Sequence, residues 1–221
     1  MPEAKKHLLI LGATGMVGGQ LLRAALADPA VARVTAPTRR PLPSQARLDN
    51  PVIDFHALPT DCAWWQADAL LCALGSTLKQ AGSRAAFRAI DHDLVLHAAQ
   101  LARRAGTPCC VSISSLGAST SAGSFYLRTK GDTEAGLAAL GFDSLQILRP
   151  ALLDSGPRPE TRPAEQAGLL LSRLLRPLIP ARYQPISAVR VAECMLGLAL
   201  AAKPGSSIIE SEQIAVWAQG K

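Results

Sequence analysis

The 221-residue chain has two tyrosines, and Tyr126 stands four residues before Lys130 in the stretch FYLRTKGDTEAG. Residues four apart share one face of a helix. A phenol can act as a proton donor and acceptor when a nearby cation favours its ionised form. Hydride transfer to a carbonyl needs such a donor at the alkoxide that develops. Ser114, 12 residues before the tyrosine in the run SISS, could hydrogen-bond the same oxygen and orient a substrate. Ser115 is a close rival for that part. The plainer alternative is a tyrosine and a lysine sharing a solvated surface. A cofactor site built elsewhere in the chain would decide between them.

The segment Gly12-Ala13-Thr14-Gly15-Met16-Val17-Gly18 offers one. It follows the short apolar run KHLLIL and opens a stretch with helical spacing. In such a turn Gly12 and Gly15 permit backbone angles closed to other residues and let the main chain approach a pyrophosphate. Gly18 lets the helix pack closely on the sheet, and the helix N-terminus offers unpaired N–H groups and a positive dipole end. A glycine triplet alone is weak, but between a strand and a helix it is specific. A tight turn without ligand is the competing reading.

The end of the second strand bears on which dinucleotide is bound. An acidic residue there would hold the ribose hydroxyls of NAD. This chain has Thr38-Arg39-Arg40 instead, and Asp28 comes too early to serve. Two guanidinium groups suit a 2′-phosphate, so NADP(H) is expected in preference to NAD(H). A solvated basic loop is the alternative. Asp54 could accept from the adenine amino group, and Ala73, Leu74 and Gly75 could pass close to the two riboses. Both stretches also suit ordinary loops.

These residues need elements to hold them. Apolar strands are expected at residues 6–11, 31–40, 50–55, 67–75, 107–115 and 143–150. Helices are expected at 14–27, at 83–105 and at 125–140, with Gly106 and Gly141 closing the last two. Strict alternation predicts an α/β fold, a Rossmann-type doubly wound parallel sheet. Residues 151–163 read as a loop, followed by an apolar helix at 164–175 and another at 188–202. One NAD(P)-binding domain over 1–221 is expected, with 151–221 supplying a small substrate-side cap.

Composition narrows the classes of function. Aromatic residues are 4% of the chain, too few for base-stacking platforms, and no nucleic-acid module is recognisable. Apolar runs fall short of a bilayer span, so no membrane partner is expected. The N-terminus lacks the long apolar segment of a signal peptide, which predicts a cytoplasmic protein. Five cysteines without a C-x-x-C pair argue against a disulfide framework or zinc site. Adjacent Cys109 and Cys110 suit a buried strand, one facing each side. In DHDLVLH the five-residue gap from His92 to His97 fits a metal poorly, and Asp93 with His97 reads as a surface pair. No metal is expected.

The net charge is +6, and Arg158, Arg162, Arg173, Arg176, Arg182 and Arg190 cluster late in the chain. They read as solvated helix faces or as a basic rim favouring an anionic substrate. The stretch AGLLLSRLLRPLI reads as core, as a lid or as a homodimer interface.

Taken together, the residues resemble the short-chain dehydrogenase/reductase superfamily in its atypical, extended-like division. Within it they are most similar to the Tat-interacting-protein 30 branch of small NADPH-binding proteins. LGATGMVGG, TRR, DFHAL, CALGST, SISSLGAS, FYLRTKGDTEA, ILRPALL and YQPISAVRVAE occur in that order along nearly the whole chain. The resemblance implies that Tyr126 is the acid/base, that Lys130 assists it and binds the nicotinamide ribose, and that Ser114 orients the substrate. It also brings Pro150, in RPALL, near the nicotinamide. Only residues 151–221 remain for a substrate region, which is cramped for a nucleotide sugar. A small carbonyl compound is therefore the expected substrate, ahead of a nucleotide-sugar epimerase reaction. An NADPH-sensing regulatory protein with little turnover is the rival from a different class.

Overall fold

A computed structural model of the chain describes residues 4–154 and 180–217. Strand β1 (Lys6–Leu11) lies at its centre, with Leu8, Leu9, Ile10 and Leu11 all fully buried. A strand covered by helices on both faces has to be apolar on both sides, which is why KHLLIL does not alternate.

The sheet is completed by β2 (Val31–Thr35), β3 (Leu48–Asp49), β4 (Ala69–Cys72), β5 (Cys109–Ile113), β6 (Ser144–Arg149) and one strand near the C-terminus, Gly205–Glu210. With β7 (Leu153–Asp154) and β8 (Ile186–Ser187) forming a separate parallel pair, that last strand is β9. The order is β3-β2-β1-β4-β5-β6-β9, and every neighbouring pair is parallel. The Rossmann-type fold expected from the sequence is therefore present. The chain runs outward in opposite directions from β1, so a crevice opens where β1 and β4 end.

Side chains along each strand divide between two cores. Leu8, Ile10, Leu71, Cys109 and Val111 meet helix α1 (Met16–Ala27) and the helix at Ala188–Ala201. Leu9, Leu11, Leu70, Cys72 and Cys110 meet the helices Val95–Arg104 and Phe125–Ala139. Cys109 and Cys110 thus face opposite sides, as expected.

Between β4 and β5 the chain forms α2 (Leu78–Ala81), α3 (Arg84–Arg88), a π-helical turn over Ala89–Leu94 and α4 (Val95–Arg104). The single helix expected at 83–105 is therefore wound more widely in its middle. Helix α5 (Phe125–Ala139) follows β5, and Gly141 takes the left-handed φ of 68° just beyond its end. Helices α6 (Ala188–Ala201) and α7 (Ser211–Val216) flank β9.

Three expectations need correction. The second strand ends at Thr35 rather than Arg40, just short of Pro37, which has no N–H to give a ladder. The third strand lies at Leu48–Asp49, and the expected segment 50–55 keeps one bridge, Thr38 to Val52, beside Pro51. Residues 205–210, read as part of a cap, form an edge strand of the main sheet. The apolar helix expected at 164–175, the leucine-rich stretch and Arg158, Arg162, Arg173 and Arg176 lie outside the described residues.

Candidate active site

Gly12 has a φ of 83°, and a Cβ there would meet the backbone of Ala73 and Leu74 at the end of β4. The glycine turn and the ALG segment are therefore brought together. Gly15 departs from expectation. Its φ of −79° and ψ of 173° are open to any residue, so no backbone angle requires glycine there. At Gly18 a Cβ would stand 2.0 Å from the carbonyl oxygen of Gly12, the residue directly after β1, so glycine there lets the helix approach the end of the strand closely.

No side chain caps α1, and its first turn carries no acidic residue. The N–H groups of Met16, Val17 and Gly18 have no partner within the helix, and the positive dipole end is open. Thr14, Gly15 and Met16 are exposed at the lip of the crevice. Ala13 and Val17 point into the core, so only their backbone can serve a ligand.

Across the crevice, Lys130 on α5 is 6% exposed, and its Nζ lies 2.7 Å from Oδ1 of Asp91. Asp91 is fully buried, in the π-helical turn. Its Oδ2 accepts from both the N–H and the hydroxyl of Ser76, each at 2.9 Å. Its main-chain oxygen accepts from the Thr133 hydroxyl on α5 at 2.9 Å. A Cβ on Gly75 would stand 3.4 Å from Asp91 Oδ1 and 3.7 Å from Lys130 Nζ. The end of β4 thus touches the glycine turn through Ala73 and Leu74, and the lysine pair through Gly75.

Tyr126, one turn before Lys130, is half-buried, with its ring 5.3 Å from that of Phe87 on α3. Ser114, just after β5, is 8% exposed, and its hydroxyl has no hydrogen-bond partner among the described residues. An unpaired buried hydroxyl is costly unless a ligand completes it. Ser115 is less buried, which favours Ser114 as the substrate-facing hydroxyl.

Asp91 is the site residue that sequence reasoning missed, having weighed it only as a metal ligand. The available signal was its place in an apolar stripe, four residues after Phe87 and four before Val95, both buried. The surface pair also differs from expectation. Asp93 Oδ1 lies 2.7 Å from His92 Nδ1, the adjacent residue, and among the described residues it makes no ion pair with His97.

Arg39 and Arg40 are exposed, and neither guanidinium makes a hydrogen bond or ion pair among the described residues. Their loop is held from behind. Asn50 donates to the oxygens of Ala36 and Thr38 at 2.6 and 2.8 Å and accepts from the Leu42 N–H. Asp54 lies in a turn rather than at a strand end, and its Oδ1 accepts from the His56 N–H at 2.9 Å. Pro150 is buried, and its carbonyl accepts from Leu116 N–H at 3.0 Å, which joins its loop to the one after Ser114.

Arg149 grips Glu134 of α5 through Nε and Nη2 and reaches Glu210 at the end of β9 at 3.2 Å. Hydrogen bonding to Glu134 raises its pKa above the usual arginine value. This network pins α5, with Tyr126 and Lys130, to the sheet.

No family model matches the chain. The protein fmp52, mitochondrial, of Emericella nidulans is 39% identical over 169 residues, spanning 72% of this chain and 71% of that protein. Protein HTATIP2 of Rattus norvegicus is 36% identical over 165 residues, spanning 72% and 67%. The solved structure of MoeE5 in complex with UDP-glucose and NAD aligns with a TM-score of 0.66 at 19% identity, covering 92% of this chain and 75% of that one. At that identity the likeness is one of fold. The relatives also overturn the expected cytoplasmic location. Those from Emericella nidulans, Candida albicans and Kluyveromyces lactis, 39%, 36% and 38% identical, are all named mitochondrial.

Proposed function

Because the chain belongs to the Fmp52 and HTATIP2 family, the Tat-interacting-protein 30-like branch of the atypical short-chain dehydrogenases/reductases, we propose that it is an NADP(H)-dependent reductase of a small carbonyl compound. The observation that carries this is the crevice itself. A buried ammonium at Lys130 lies one helical turn from Tyr126, under the same strand end that packs against the glycine turn.

The residues fit a nicotinamide dinucleotide. The open N-terminus of α1 and the backbone of Gly12 to Gly18 would hold its pyrophosphate. Arg39 and Arg40, exposed and without a hydrogen bond or ion pair among the described residues, would grip a 2′-phosphate, and this favours NADP(H) over NAD(H). Ala73, Leu74, Gly75 and Pro150 would line its course, with Lys130 on the nicotinamide ribose. When bound, the nicotinamide supplies the hydride. The Tyr126 hydroxyl donates the proton to the developing alkoxide. The unpartnered Ser114 hydroxyl donates a hydrogen bond to the same oxygen and fixes the carbonyl.

The names of the fungal relatives support a mitochondrial location. Neither relative's name states a reaction, and this favours, as a second reading, an NADPH-sensing protein with little turnover.

NADPH consumption against a panel of aldehydes, ketones and quinones tests the proposal, with Tyr126→Phe alongside. Tyrosine-dependent turnover supports the reductase. Tight NADPH binding without turnover supports the sensor.

A further inference from the structure

We propose that Asp91 is a positioning residue that fixes the Lys130 ammonium against the end of β4 and thereby sets dinucleotide affinity. The proposal rests on the cofactor reading above, but not on any particular substrate.

Four observations lead to it. Both members of the Asp91–Lys130 pair are buried, and burying two charges costs as much as their attraction returns, so such a pair does little for net stability. Its placement matters more. Asp91 Oδ1 faces Lys130, while Oδ2 holds both donors of Ser76, the residue directly after Gly75. One carboxylate therefore sets the distance between the lysine and the strand end that a dinucleotide would cross.

The backbone of Asp91 is tied as well, its carbonyl accepting from the Thr133 hydroxyl on the helix that carries Lys130. Finally, Asp91 sits in a π-helical turn, a local widening frequent at functional sites.

An ammonium carries three donors with no preferred direction of its own. The Asp91 carboxylate holds that of Lys130 as an ion pair at 2.7 Å. Gly75 leaves the space beside it free of a side chain, since a Cβ there would stand 3.7 Å from Nζ. Without the carboxylate the lysine stem is free to swing, and the entropy of fixing it falls on the ligand.

The test is a double-mutant cycle on the full chain with Asp91→Asn, Lys130→Met and both together. Asparagine still accepts from Ser76, so the strand end keeps its anchor. Dissociation constants for NADPH come from quenching of tryptophan fluorescence and need no turnover. Thermal midpoints are read on the same samples.

Asp91→Asn alone should weaken NADPH on the order of tenfold, and in the Lys130→Met background it should change affinity by less than about twofold. The double variant should unfold at a higher temperature than Asp91→Asn, because the unpaired buried charge is gone, yet should not regain affinity. An unchanged dissociation constant in Asp91→Asn would overturn the proposal. So would equal losses in both backgrounds, or affinity returning together with thermal stability in the double variant. Absence of carbonyl turnover in the wild type defeats the reductase reading and leaves this cycle decisive. A wild type that binds no dinucleotide overturns both.

Discussion

The carbonyl oxygen of Ala73 lies 2.6 Å from where a Cβ on Gly12 would stand, so the glycine turn and the end of β4 meet through bare backbone. Together with the positive φ of Gly12, this leaves two independent reasons for glycine at that position. Gly12→Ala should cost at least about 2 kcal/mol of stability and abolish measurable dinucleotide binding. Gly15→Ala, at an ordinary φ of −79° but with its Cβ 3.2 Å from the Gly12 carbonyl oxygen, should cost about 1 kcal/mol or less. Denaturant unfolding of the two variants separates them directly.

Arg39 and Arg40 provide a test of cofactor choice. Their guanidinium groups are exposed and make no hydrogen bond or ion pair among the described residues, so removing them breaks none of those bonds. Arg39→Ala with Arg40→Ala should weaken NADPH by about 10- to 100-fold, the scale of paired charge-assisted bonds, and leave NADH within about twofold. Titrating both dinucleotides at two salt concentrations checks it. Equal losses for the two would show that the arginines do not read the 2′-phosphate.

The cysteines make a prediction about pH. Burial pushes the Cys72 thiol up to about 11 and the Cys194 thiol up to about 12, and it raises Cys109 and Cys110 as well. Thiolate is the reactive form. At neutral pH a maleimide should therefore modify the native protein at Cys62, the half-exposed one, and all five cysteines in denaturant, as counted by mass spectrometry.

The same shifts bear on stability. In the unfolded chain the thiols ionise around their ordinary value of 9.0, while Cys72 and Cys194 keep their protons when folded. Above that pH the unfolded state binds fewer protons, so stability falls as the pH rises from 9.0 towards about 11 and about 12. Below 9.0 these thiols contribute no pH dependence. Thermal midpoints measured across the alkaline range should decline accordingly.

Much of this was legible in the sequence where one residue type is forced by one physical need. The turn at Gly12 was legible because only glycine takes its φ beside a strand end. The central strands were legible because β1, β4 and β5 are buried on both faces and so read as unbroken apolar runs. The edge strands were not. β9 exposes Ser206, Ser207 and Ile208, and β3 has two residues, so neither leaves a periodic signal. Asp91 stayed hidden for a different reason. A carboxylate in a helix reads as a solvated face until its partner is known, and that partner, Lys130, lies on another helix.

The most direct test of the central claim is a single-turnover reaction with NADPH deuterated at the transferring position, for wild type and Tyr126→Phe. Deuterium is expected on the former carbonyl carbon of the product in the wild type. The rate in the variant should be lower by about 100-fold or more at comparable NADPH affinity. Dinucleotide binding without deuterium transfer to any carbonyl in the panel, or transfer at an undiminished rate in Tyr126→Phe, would contradict it.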